Sequence, residues 1–449
     1  MIKAIVVYFT LISTLPLAMA RAHVGVMIYY WYTLMVPQHT ATIVQFGWAK
    51  LIVAVALIGW IANRSFRHIS WHPILYLHLL FALWMMITTV FARYQGTAVD
   101  AMVDQLKFTL MFVLATSVAT NRVRVHGFMW VMLLGVGFWA AFGGLKVLAG
   151  AGGFTVDGPP NSQYSDTNHF ALWMLQILPW AAYMVLHSAH RYVRFAMIGL
   201  ILATLLSIVG TDSRGAFLGI GMMGIAFLFF SRRKALVIGL GVVLIGAFLI
   251  VVPSERLDRY TARVDTIKTY EEDGSANERL NAWNFAIRRA NQTFPLAAGT
   301  GAFQDNMTRR QREFLEKHGF IGSTGRGRVA HSIYFHVLGE QGWIGLTIYI
   351  AWLLMIVQRS LSIYRRCRND PEMFWARDFG FAALLSTIGF MSAGAFLSVH
   401  DSELILLIGA LVIGVDVQVR AREAEARKAL TPRQGYQGAA PVRGEGTAD

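Results

Sequence analysis

A single cysteine, Cys367, stands in 449 residues, so an intramolecular disulfide is excluded. Charge is scarce as well: Asp, Glu, Lys and Arg make up 15% of the chain, where a soluble globular domain carries roughly 25%. That shortage excludes a soluble enzyme and a disordered chain together. What fills the space is apolar. Hydrophobic residues are 55% of the sequence, and mean hydropathy is +0.47. They arrive in blocks of about 16 to 25, the length that crosses a hydrocarbon core of roughly 30 Å. The composition therefore predicts an all-α polytopic membrane protein.

The formal net charge is +14. In a soluble chain this would suggest nucleic acid; here it follows from where the charges sit, and no nucleic-acid partner is expected. Apolar runs predict spans near 42–62, 73–92, 105–119, 125–148, 169–187, 195–209, 215–230, 235–252, 332–358, 377–397 and 403–418. Residues 1–36 hold one span or a pair broken around Arg21, about twelve spans in all if counted once. The first twenty residues imitate a signal peptide, but the further spans favour a retained first helix. One set of loops carries 20 Lys or Arg and the opposite short loops carry two, Arg93 and Arg214. The positive-inside rule makes the first set cytoplasmic. This divides the chain into an N-terminal bundle, 1–252, a periplasmic loop domain, 253–331, C-terminal membrane helices, 332–420, and a disordered cytoplasmic tail, 421–449, whose start AREAEARKAL could continue a helix. The long loop holds 13 Lys or Arg against 10 Asp or Glu, and its Trp283, Phe285, Phe294, Phe303 and Phe314 suggest short amphipathic helices on the membrane face.

The polar residues with chemical potential lie on the non-cytoplasmic side. In GFTVDGPPNSQYSDTNHFA, Asp166 or Thr167 reads as a helix cap; alternatively Asp166, Asn168 and His169 line a polar site. In GTDSRGAF, Arg214 stands between small residues, either snorkelling to the interface or facing a ligand. In YEEDGSANERLNAWNFAIRRA, Ser275 and Glu278 form a capping box, and Arg279 and Trp283 share one helix face. They read as a cation–π pair, or as an arginine aimed at an anion with Trp283 on the lipid boundary. In HSIYFHVLGEQGWIGL, His331 is followed at i+11 and i+14 by Gly342 and Gly345, within about 40° of it on a regular helix. Those glycines predict tight helix packing that holds His331. Glu340 is expected on the opposite side, buried and paired.

No paired His at i, i+4, DxD-like carboxylate pair, P-loop or Ser-His-Asp order stands out, so no metal or cofactor is expected. Guanidinium forks match phosphate oxygens, and a neutral histidine can take a proton from a hydroxyl. Arg214, Arg279 and His331 thus suit a lipid-linked phosphate or pyrophosphate donor. A transporter would need ionisable residues deep in several spans, and the candidates are few: Lys50, Lys107, Lys146 and Glu340. Lys107 is alternatively placed to reach the donor phosphate.

At these residues the chain resembles the O-antigen ligase and polymerase superfamily. His331-Ser332, nine residues, Gly342, two residues and Gly345 is similar to the ligase signature, with Leu346 where that family often has Thr or Val. TDSRGA, YEEDGSANERLNAW and HSIYFHVLGEQG look closest to the O-glycosylation ligases associated with exosortase systems. The resemblance implies a metal-independent, inverting, GT-C-like glycosyltransferase of the bacterial inner membrane. Its donor would be a glycan on undecaprenyl pyrophosphate and its acceptor a sugar hydroxyl of lipid A–core. Polymerases and protein O-oligosaccharyltransferases use the same donor chemistry. By motif position the resemblance implies His331 as acceptor-activating base, and Arg214 and Arg279 as pyrophosphate contacts. Lys107, Asp166, Asn168, Trp283 and Glu340 take supporting places.

Overall fold

The computed structural model describes residues 2–40, 47–92, 95–150, 155–160, 162–230, 234, 239, 274–301, 303, 330–397 and 399–430. The predicted span 235–252 apart from 239, residues 253–273, 302 and 304–329 of the long loop, Phe314 among them, and residues 431–449 lie outside them.

Apolar runs become helices because a backbone in lipid must satisfy its own hydrogen bonds. In chain order these are α1 (Ile2–Ala20), α2 (Ala22–Met35), a single turn α3 (Pro37–Thr40), α4 (Trp48–Ala62), α5 (Pro73–Val90), α6 (Gln95–Val118), α7 (Arg122–Ala149), α8 (Thr167–His187), α9 (Arg191–Gly210), α10 (Arg214–Phe230), α11 (Gly274–Gln292), α12 (Ile333–Arg366), α13 (Phe374–Gly394) and α14 (Glu403–Leu430). No strand occurs among the described residues. Among the described residues, seven helices are long and apolar enough to cross a membrane by themselves. The protein is an all-α polytopic membrane protein.

The N-terminal region is a broken pair, α1 and α2, meeting at Arg21, whose backbone is extended (φ −137°, ψ 103°). Both arms lean on α4. The Ala18 carbonyl lies against Gly59, and Gly25 lies against Ala56, so α1 runs parallel to α4 and α2 antiparallel. The Arg21 turn thereby joins Asn63, His68 and Arg124 around one cavity on the basic face.

Several helices outrun the hydropathy reading. α6 starts at Gln95 rather than 105, because its first turns carry Asp100 and Asp104. α12 continues through Arg359, Arg365 and Arg366. α14 runs to Leu430, past the expected tail boundary. Hydropathy marks the bilayer segment, whereas the hydrogen-bonded ladder continues into charged sequence. The extra turns are tied down: Asp416, fully buried, accepts from Arg366 Nη1 at 2.8 Å, from Arg420 Nη2 at 2.8 Å and faces His72 Nε2 at 3.0 Å.

One buried cluster runs from Leu11 to Val419, so the expected N-terminal bundle and C-terminal helices share a single core. α14 lies in its middle, with Leu404 to Val415 buried on every side; such a helix needs apolar residues all round. Leu80, Leu83, Val90, Leu145, Leu202 and Phe229 face outward, as a lipid-bathed surface requires.

Candidate active site

Three helix ends meet on the face opposite the basic loops. The C-terminal end of α13 is the hub. Ile333, the first residue of α12, presses its side chain onto Gly394, and the Tyr334 hydroxyl donates to the Met391 carbonyl at 2.9 Å. Gly215, the second residue of α10, sits against the Ala393 carbonyl and the Phe396 side chain. A side chain at Gly394 would collide with Ile333, so glycine there permits the approach.

α11 docks from outside. Its Ala282, Ala286 and Ala290 form a buried stripe at i, i+4, i+8 against Phe303, Ala330 and Leu338. Trp283 stacks on Phe335, with centroids 4.7 Å apart and planes at 12°, and donates its indole N–H to the Ala330 carbonyl at 2.8 Å. Its ring lies 6.5 Å from that of Phe396. The indole therefore packs inward and not on the lipid boundary. α11 begins at Gly274, ahead of the expected start, and the Ser275–Glu278 capping box falls on side chains outside the described residues.

These contacts bring the segments that carry the three predicted basic residues to one face. Arg214 opens α10 beside Phe396, Arg279 lies one turn before Trp283, and His331 follows Ala330. His331 is exposed and adopts φ 47°, a left-handed conformation that costs a non-glycine residue roughly 1–2 kcal/mol. Asp212, two residues before Arg214, does the same at φ 54°. Such backbone persists only where its surroundings impose it. Ser332 precedes α12 without a side-chain capping bond, and its buried hydroxyl has no partner among the described residues. The first N–H groups of α12 consequently keep their partial positive charge at this face.

The glycine stripe is corrected. His331 lies outside α12, and Gly342 is not helical at all, with φ 67° and ψ −170°. That region belongs essentially to glycine. The break frees two carbonyls, and both are met: Glu340 O accepts from Gly299 N at 3.0 Å, and Gln341 O from Trp84 Nε1 at 2.8 Å. Gly345 leaves room for the same Trp84 ring. The Gln341 side chain accepts from Thr88 Oγ1 at 2.6 Å and donates to Thr300 Oγ1 at 3.0 Å. GxxG is thus a built kink and an indole seat.

The supporting residues divide. Asp166 caps α8, its Oδ1 accepting from Asn168 N at 2.9 Å and His169 N at 3.3 Å. Lys107 is ion-paired with Asp104 one turn earlier. Glu340 is buried and paired as expected, 3.1 Å from His336 Nε2.

Sequence reasoning missed His336 and His400. The spacing of His331 and His336 gives no ligand pair, and the true neighbour of His336 arrives from the segment between α13 and α14, with ring centroids 4.5 Å apart. Burial, and then the adjacent His336, hold the His400 imidazole below its ordinary value, favouring its neutral form.

Comparison with known proteins adds the family. The family described as O-Antigen ligase matches residues 171–350, a stretch holding Arg214, Arg279 and His331. Over that stretch the chain is similar to the O-antigen ligase family. The match supports, broadly, glycosyl transfer of the ligase or polymerase type, a family activity that in general takes a lipid-linked glycan and a lipid acceptor. A family of unknown function, DUF5935, matches residues 1–209. No curated protein matches the chain. The matches reach the superfamily and not a branch within it.

Proposed function

We propose that the protein is an O-antigen ligase, transferring a glycan from undecaprenyl pyrophosphate to a sugar hydroxyl of lipid A–core on the periplasmic face of the bacterial inner membrane, with its C-terminus cytoplasmic. The observation that carries this reading is the meeting of the Arg214, Arg279 and His331 segments around Phe396 and Trp283.

The division of labour follows from charge. A leaving diphosphate gathers negative charge as its bond to the anomeric carbon breaks. Arg214 and Arg279 supply planar guanidinium donors for its oxygens, and the N-terminus of α12, which no side chain caps, adds partial positive charge. On the other side of the anomeric carbon the acceptor hydroxyl attacks. Its proton passes to His331, the new carbon–oxygen bond forms, and undecaprenyl pyrophosphate departs with the bonding pair. Attack opposite the leaving group inverts the anomeric centre. The residues so assigned need no metal for this step. The exposure of His331 suits a site that admits a large acceptor from outside. Asn168, at the start of α8, is a supporting contact on the same face.

Expression in a ligase-null strain tests the reading. The wild-type gene restores a high-molecular-weight lipopolysaccharide ladder, and His331→Ala inserts in the membrane without restoring it. An absent ladder alongside a glycosylated pilin-like protein would turn the assignment to protein O-oligosaccharyltransfer, and longer lipid-linked chains alone to polymerisation.

A further inference from the structure

We propose that His336, Glu340 and His400 form a site for one divalent transition-metal cation of the zinc class, which ties the segment between α13 and α14 to α12 just inside the membrane face. One nitrogen from each imidazole and one Glu340 oxygen lie within 4.8 Å of one another. His336 Nε2 and Glu340 Oε1 are 3.1 Å apart, near the ligand–ligand separation of about 3.3 Å around a tetrahedral zinc with bonds of about 2.0 Å. Two imidazoles and a carboxylate are a donor set that zinc favours over magnesium or calcium.

A hydrogen-bonded trio leaves this cluster unfinished. The ion pair of His336 with Glu340 uses one nitrogen, while His336 Nδ1 and His400 Nδ1 are buried with no hydrogen-bond partner among the described residues. A buried polar group left unpaired costs about 1–3 kcal/mol, and a cation shared by the rings relieves part of it. The ligands are also aimed from behind. Helical spacing i, i+4 puts His336 and Glu340 on one face. Tyr349 donates its hydroxyl to the His400 carbonyl at 3.1 Å, and Gln105 Nε2 donates to Asp401 Oδ2 at 3.0 Å. Those two bonds hold the 399–402 backbone so that His400 faces α12, the supporting shell that metal ligands require. Three protein ligands leave a fourth position for water. The cation braces α12 between His331 and the Gly342 kink.

The test is metal content, independent of glycosyl transfer. The full-length protein is purified in detergent, stripped with a chelator, loaded with zinc and passed through a desalting column. We expect roughly one zinc per chain, a higher melting temperature than the stripped protein, and visible ligand-field bands when cobalt replaces zinc. Glu340→Gln, His336→Gln and His400→Gln, which keep side-chain size, each bind less than about a tenth of that zinc, whereas His190→Gln on the opposite face binds as wild type. Wild-type protein that melts cooperatively yet retains less than a tenth of an equivalent overturns the site. So do three variants that keep the wild-type stoichiometry.

Discussion

The indole N–H of Trp283 donates to the carbonyl of Ala330 at 2.8 Å, fixing the peptide immediately before His331 to a helix that also carries Arg279. Two motifs almost fifty residues apart are joined by one hydrogen bond and one ring stack on Phe335. In this account Trp283 is a positioning residue. Trp283→Phe keeps the stacking and loses the bond, worth about 0.5–1.5 kcal/mol. Transfer should fall about threefold to tenfold in kcat with little change in donor KM. An unchanged rate would remove Trp283 from the site.

Gly342 carries the kink. Alanine at φ 67° and ψ −170° costs of order 1–3 kcal/mol, and its Cβ would meet that of Ala297 at 3.3 Å. Gly342→Ala should lower the melting temperature in detergent and transfer activity together. A variant as stable as wild type would mean that α12 tolerates straightening, and the seats on Trp84 and Gly299 would lose their importance.

Arg214 and Arg279 are assigned to a diphosphate, which tests the shape of the donor as well as its charge. Lysine keeps the charge and loses the fork. Arg214→Lys and Arg279→Lys should each reduce kcat/KM about tenfold or more, the equivalent of about 1.4 kcal/mol of transition-state contact. Full activity in both lysine variants would reduce the arginines to simple surface charge.

Cys367 closes α12 on the basic face and is buried; burial pushes its thiol up to about 11. The thiolate is the reactive form and is nearly absent at neutral pH. Folded protein should resist maleimide at pH 7, react faster as pH rises toward 11, and label promptly once unfolded. Rapid labelling of folded protein at pH 7 would contradict the packing around it.

Much of this was legible in the sequence, for identifiable reasons. Spans follow from apolar runs, since lipid imposes one backbone solution on α5, α7, α8 and α9. Arg214, Arg279 and His331 stand out as candidates because arginine is disfavoured on that face and because the His-Ser-x9-GxxG spacing is local. What stayed hidden is what depends on tertiary approach. Helical projection treated Gly342 as a packing surface, though its backbone breaks the helix and Trp84 and Gly299 take up the freed carbonyls. His336 and His400 lie 64 residues apart, and no local period connects them. Asp166 kept its bland reading, because a carboxylate before a helix finds the nearest N–H groups first.

The most direct measurement is transfer by purified protein, with a defined glycan on undecaprenyl pyrophosphate, lipid A–core as acceptor, and release of undecaprenyl pyrophosphate as readout. The account predicts that wild type forms the coupled product with inverted anomeric configuration. It also predicts that His331→Ala loses at least about a hundredfold in kcat, in the range of general-base catalysis, while still binding donor. A His331→Ala protein that transfers at the wild-type rate would contradict it.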